Sequence, residues 1–279
     1  MATPEAPLRE LLKSISFTRF PLCHIDPFFV PAAIDQPQLF VYRSPLGRSS
    51  GTPTSDIECL RVLSLLKFHN YEFDLQYTHE PNMSPNAQLP FLLLPSGTAI
   101  DCHHIEEHLA DKLEEKGEEE EEDEQEGGLL AYYEMAKHGL VPAAEYLAWV
   151  DPAGFEAIGQ HYLAPYSALP KYWLGWSRVA AVTRRLRSAL PEYGAALDGD
   201  VIYENAVRAL DSLLVLLGEK ETMSGRRLGS LDALVFACLN AFLEAPVKSP
   251  MRDALTRPGS KYRPLVDYLL RIVDRYYKE

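Results

Sequence analysis

The sequence predicts a small α/β domain followed by an all-α domain, and three observations carry that reading. Strand-like alternation is confined to residues 38–113. An acidic run follows, and after Leu129 every apolar pattern has helical spacing bounded by Pro and Gly. With 279 residues, 47% of them hydrophobic, the chain can bury the cores of two modest domains.

Leu39 to Arg43 (LFVYR) reads as the first strand, and a Ser/Gly/Pro loop separates it from a helix opening at Ser55. Ser55-Asp-Ile-Glu has the form of a capping box, with Ser55 as N-cap and Glu58 as its reciprocal partner. Glu72 to Thr78 alternates Phe73, Leu75 and Tyr77 with polar neighbours, as a half-buried strand does. Phe91 to Leu94 and Thr98 to Ile100 supply two more strands around the Ser96-Gly97 turn, and His103 to Leu113 returns to helix. The order β-α-β-β-β-α is that of a thioredoxin-like domain with one small helix lost around Met83 to Ala87. Pro90, directly before a buried strand, sits where such domains carry a cis-proline, although an ordinary trans proline at a first strand position is also sterically allowed.

Around this domain, residues 1–37 form an arm in which Phe17, Phe20, Phe28 and Phe29 alternate with prolines. It either packs on its own domain or inserts into a partner. Residues 114–128 are expected to be a mobile acidic linker, because Leu113 to Glu126 holds ten Asp/Glu against one Lys. The run is a solvated spacer or a lure for basic presequences. Residues 129–279 form the helical domain, with helices expected over 129–149, 172–190, 201–217, 230–243 and 261–278. Pro142 should kink or split the first of these.

Most of the net charge of −13 sits in the acidic run, so a broad phosphate-binding surface, and with it nucleic acid, is not expected. Four scattered cysteines without a C-x-x-C pair encode no dithiol or zinc motif and fit a reducing compartment. Met1 to Leu11 has neither signal-peptide nor presequence character. The longest apolar stretches, 213–217 and 234–243, are too short to span a bilayer, so any membrane contact should be peripheral.

Two segments carry a resemblance to the glutathione transferases: Ser84-Pro-Asn-Ala-Gln-Leu-Pro-Phe-Leu-Leu, and Gly229-Ser-Leu-Asp-Ala-Leu-Val-Phe. In the second, Asp232 can reach back to unpaired backbone donors at a helix start, with Gly229 as N-cap where that family has Ser or Thr. Over residues 39–279 the co-linear segments Met83 to Phe91, Ala131-Tyr-Tyr-Glu, Ala144-Glu-Tyr-Leu-Ala-Trp, Tyr162 to Tyr166 and Leu231 to Phe236 resemble the metaxins, particularly the second metaxin and its fungal counterpart. That resemblance implies a glutathione-transferase-like fold. It also implies a non-catalytic subunit of the mitochondrial sorting and assembly machinery on the cytosolic face of the outer membrane. Its partners would be a membrane-embedded β-barrel subunit, a second metaxin-like chain and β-barrel precursors.

The competing reading is a transferase acting on small electrophiles, which needs a hydroxyl or thiol near the end of the first strand or the start of the first helix. Tyr42, Ser55 and Cys59 are the candidates. Each has a structural explanation: Tyr42 inside the strand, Ser55 as N-cap, Cys59 a turn into the helix. Where transferases usually offer Glu or Gln then Ser to bind glutathione, Asp101-Cys102 stands, and the hydroxyl is missing. His103 and His104 beside Asp101, Cys102 and Glu106 point apart on a helix start and make a poor metal set. Without a Gly-rich phosphate loop or a Ser/His/Asp spacing, no cofactor is expected.

For a binding protein the candidate anchors are Tyr162, Tyr166, Trp173 and Trp176, with Tyr172, ahead of a helix bearing Arg178, Arg184, Arg185 and Arg187. At least three of the five aromatics are expected in the inter-helix core. Replacing the acidic run by a short Gly/Ser segment should leave the melting temperature nearly unchanged, because it buries nothing apolar. A loss of several degrees in a thermal melt would show that it packs.

Overall fold

Strand β1 (Gln38–Val41) alternates, turning Leu39 and Val41 into the core while the Phe40 ring stacks on Phe91 at 4.6 Å on the other face. The computed structural model describes residues 34–43, 51–115, 126–164, 166–189, 197–225 and 227–278. The chain divides into Met1–Asp35 and Gln36–Glu279, and every element named here belongs to the second unit. The arm's Phe17, Phe20, Phe28 and Phe29 lie outside the described residues.

β1 pairs in parallel with β2 (Asp74–Tyr77) across helix α1 (Ile57–Phe68), and antiparallel with β3 (Phe91–Leu93), which pairs with β4 (Ala99–Asp101). The order β2-β1-β3-β4 and the β-α-β-β-β-α succession are those of a thioredoxin-like sheet. In place of its lost helix stands a single 3-10 turn over Pro81–Met83. The Leu89–Pro90 peptide is cis and both residues are buried ahead of β3.

One expectation fails at α1. Its N-cap is Asp56, not Ser55: Asp56 Oδ1 accepts from the Cys59 N–H at 3.0 Å, and Glu58 turns away to bind Arg61. Asp and Ser cap comparably well, so tertiary demand on Glu58 decided between adjacent candidates.

After β4, helix α2 (Ile105–Glu115) carries the first acidic residues of the supposed linker, and α3 (Glu126–Glu145) carries its last three positions. The linker therefore narrows at both ends, and 116–125 lie outside the described residues. Helix α3 runs through Pro142 instead of breaking there. The irregularity comes later, as a widened π turn over Tyr146–Val150 and a second over Phe155–Gly159, within a helical segment ending at Tyr162. Helices α4 (Ala168–Ala189), α5 (Gly199–Leu217), α6 (Ser230–Glu244), α7 (Pro250–Thr256) and α8 (Arg263–Tyr276) complete the fold, α7 being one helix more than the sequence suggested.

α6 explains the packing. Every residue from Leu231 to Asn240 is buried, and α1, α3, α7 and α8 all pack against it. A helix apolar on all sides must sit at a core centre. α3 meets α5 so closely that a Cβ on Gly139 would come within 2.7 Å of Ala209 Cβ, so only glycine fits that crossing.

Asn240 is one buried polar residue of this stretch, and Asp232, in the first turn of α6, is the charged exception. Its Oδ1 accepts from the Met223 N–H and the Tyr268 hydroxyl, both at 2.8 Å, and its Oδ2 from the Gly229 N–H at 3.2 Å. Burial raises its pKa while these donors pull it back toward the carboxylate. Asp232→Ala should cost about 3 kcal/mol or more, since two buried donors and one half-buried donor lose their acceptor. Asp232→Asn should cost less, because its amide oxygen keeps part of the set. Urea unfolding of the variants checks this, and an alanine variant within 1 kcal/mol of the parent would refute it.

Candidate functional site

Between the sheet domain and the helical domain lies a cleft of about 540 Å³, lined on one side by Tyr42, Asp56, Glu58, Arg61 and Cys102. On the other side are Glu145, Trp149, Tyr162, Arg178 and Arg185. The start of α1 faces into it, where a transferase would keep its nucleophile.

Tyr42 follows the last residue of β1 instead of lying within the strand, so by position it is a better hydroxyl candidate than the sequence suggested. Its surroundings work against ionisation. Burial, and after it the nearby Asp56 carboxylate, hold its pKa far above that of a free tyrosine, and its ring meets Tyr162 edge-on at 5.4 Å. The Ser55 side chain is hydrogen-bonded to Tyr162, whose own hydroxyl burial also pushes up.

Cys59 sits in the first turn of α1, closer to the helix start than expected, where the dipole would favour a thiolate. It is fully buried, however, and burial first, then the Asp56 charge, raise its pKa well above the usual thiol value. Helix dipole and burial compete here, and burial wins.

Arg61 lies one half-turn further on, its guanidinium almost fully buried. Nε and Nη2 donate to Glu58 at 3.1 and 2.5 Å, and Nη1 donates to Glu106. Burial alone would depress its pKa, and the Glu58 carboxylate more than offsets this.

Asp101 is committed to its own turn: Oδ1 accepts from the His103 N–H and pairs with His104 Nδ1, both at 2.9 Å. Burial is the largest single influence and pulls the Asp101 pKa up, but the His104 and His103 contacts together outweigh it and lower the pKa, while Asp101 raises that of His104. Cys102 is buried beside Asn86 and Gln88, and burial raises its pKa. Among the described residues no group of three His, Cys, Asp or Glu is arranged to hold a metal.

The facing wall carries its own charges. Arg185 pairs with Glu145, whose pKa burial raises and Arg185 lowers, and the Arg178 guanidinium lies 5.4 Å over the Trp149 ring. Sequence reasoning missed Glu145 and Arg61 as wall residues. Each sits at helical spacing that looks like an ordinary solvated or core position.

The predicted anchors divide. Tyr162 packs between Tyr42 and Trp149, and Tyr166 donates its hydroxyl to the His79 carbonyl at 2.9 Å, so both are structural. Tyr172, Trp173 and Trp176 are exposed, so two of the five aromatics pack inward where at least three were expected.

Known proteins match this architecture on both sides of the cleft. Residues 57–154 fit the glutathione S-transferase N-terminal domain and 204–272 the glutathione S-transferase C-terminal domain. The fold is shared with β-etherase LigF from Sphingobium sp. strain SYK-6, at TM-score 0.55 and 16% identity over 86% of this chain and 96% of that one. It is shared too with Ure2p in complex with glutathione, at 0.52 and 11% over 91% and 95%. Among curated relatives, the Metaxin-1 homolog of Caenorhabditis briggsae is 27% identical over 71% of this chain and 62% of its own length. Mouse Metaxin-1 is 24% identical over 81% and 72%. The chain is metaxin-like, on a glutathione-transferase fold. It spans about three fifths of the worm relative and 44% of human Metaxin-1. These relatives are named Metaxin-1, whereas the sequence motifs had pointed within the same family to the second metaxin.

In this metaxin-like chain burial drives the Tyr42 hydroxyl and the Cys59 thiol toward their neutral forms. Alkylation of native Cys59 by iodoacetamide at pH 8 should therefore be at least about a hundredfold slower than in the unfolded chain. Peptide mapping by mass spectrometry reads the difference, and equal rates would contradict the burial argument.

Proposed function

We propose that this chain is a non-catalytic peripheral subunit of the mitochondrial outer-membrane sorting and assembly machinery. It binds a membrane-embedded β-barrel subunit, a second metaxin-like chain and β-barrel precursors on the cytosolic face, and promotes precursor insertion. The observation that carries the reading is the likeness to metaxins over 71–81% of the chain. The state of the cleft supports it: Tyr42 and Cys59 have raised pKa values, and Arg61 is already satisfied by two glutamates. Among the described residues no helix is long and apolar enough to cross a membrane, in keeping with a chain held by its contacts. The phenylalanines of the arm, Phe17, Phe20, Phe28 and Phe29, are the proposed insertion points into a partner.

A second reading has one observation in its favour, a cleft between the two domains of a glutathione-transferase-like fold. It would make the chain a glutathione-transferase-like enzyme acting on small electrophiles.

Affinity purification of the full chain from mitochondria in mild detergent tests the first reading. A β-barrel membrane subunit and a second metaxin-like chain should co-purify, and their yield should fall when residues 1–37 are removed. Recovery of the chain alone would refute it. A glutathione-conjugation assay on the purified chain should show no turnover. Turnover abolished by Tyr42→Phe, Ser55→Ala or Cys59→Ala would establish the enzyme instead.

A further inference from the structure

Nine large hydrophobic side chains are exposed among the described residues, and four of them fall within eight consecutive positions of α4: Leu169, Tyr172, Trp173 and Trp176. They are 84, 78, 64 and 65% exposed, so none is packed by the fold. Spacings of three and four residues put them on one face of the helix. That face continues at Arg184 and Arg187, both exposed. Arg187 lies eighteen residues beyond Leu169, about five turns, and so falls directly in line with it. The flank through Gly175, Val182 and Leu186, roughly a third of a turn away, is buried. One surface of one helix thus presents an apolar, aromatic half followed by a basic half along roughly 27 Å.

The charge is as unusual as the aromatics. In a chain of net charge −13, the 22 residues of α4 contain one Lys, four Arg and no Asp or Glu. Two of the arginines, Arg178 and Arg185, turn toward the cleft, which leaves Arg184 and Arg187 to the outer face.

We propose that the outer face of α4 is a lipid-contact surface that seats on a bilayer with anionic headgroups. The Trp and Tyr rings lie at the headgroup boundary, and Arg184 and Arg187 on the phosphates. Amphipathic aromatic rings with basic neighbours are the chemistry of an interfacial helix. The rest of the chain is acidic and is repelled by such a membrane, so the approach is oriented with α4 foremost. A second copy of this chain suits the face less well, because it would set one basic helix against another. The inference uses only the chemistry of α4 and stands apart from the proposed assembly role.

The test uses the full chain with vesicles of phosphatidylcholine alone and of phosphatidylcholine with phosphatidylserine. The chain should co-sediment with the anionic vesicles and not with the neutral ones. Brominated phosphatidylcholine in the anionic vesicles should quench its tryptophan emission, since two of the three tryptophans, Trp173 and Trp176, lie on this face while Trp149 lines the cleft. Arg184→Gln with Arg187→Gln should weaken partitioning roughly thirtyfold. Trp173→Ser with Trp176→Ser should abolish it with no change in melting temperature. Should the tryptophan variant fold poorly, quenching of the unmodified chain decides alone. The proposal falls if the chain stays in the supernatant, if bound chain is not quenched, or if the arginine variant partitions like the parent. It also falls if a protein partner, and not vesicles, shields Trp173 and Trp176 from iodide.

Discussion

The burial of α6 on all sides is the constraint from which the rest of the structure follows. A helix with no solvent face needs neighbours all round, and α1, α3, α7 and α8 are those neighbours. It also means that its buried carboxylate, Asp232, needs protein donors in place of water, and the loop before α6 and the side of α8 supply them. Because α1 belongs to the sheet domain, the same helix joins the two domains into one core. Smaller polar links finish the junction: Asn240 donates to Thr52, the Ser64 and Tyr277 hydroxyls share a hydrogen bond, and Lys67 reaches the Tyr276 carbonyl.

The cleft is the by-product of that junction, walled by the sheet domain on one side and the helical domain on the other. Tyr42 lines the cleft and Cys59 lies buried behind its wall, and desolvation raises the pKa of both. Asp101 spends its acceptors on its own turn. What remains is a polar trough between rigid walls, with the outer face of α4 around the corner from it.

Much of the fold was legible because its signals are local or periodic. The β-branched and aromatic run Leu39 to Arg43 marked β1 within a residue at its start, the proline before Phe91 marked the cis peptide, and Asp232 was readable from its place three residues after Gly229. The failures have physical causes as well. Ser55 and Asp56 are equivalent caps in isolation, and only the demand of Arg61 on Glu58 separates them. Pro142 breaks an isolated helix, yet here α3 is held from both sides by α5 and α6 and continues. The aromatics after Tyr162 share one composition, and nothing in spacing alone says that Tyr166 finds a carbonyl while Trp173 and Trp176 find solvent. The cleft itself was visible only through the family resemblance, since its walls come from residues as far apart in the chain as Tyr42 and Arg185.

Arg61 carries a consequence for what the cleft can admit. Its guanidinium is the most buried cation on the sheet side, and Glu58 and Glu106 already occupy its donors. Tethered carboxylates compete with a diffusing one at an effective concentration in the millimolar range or above, without paying the entropy of association. An anionic guest must therefore outcompete a permanent internal counter-ion before it gains anything from Arg61. The Arg61 end of the cleft is in this sense self-inhibited toward small anions, and guests that gain entry through shape or backbone hydrogen bonding face no such rival.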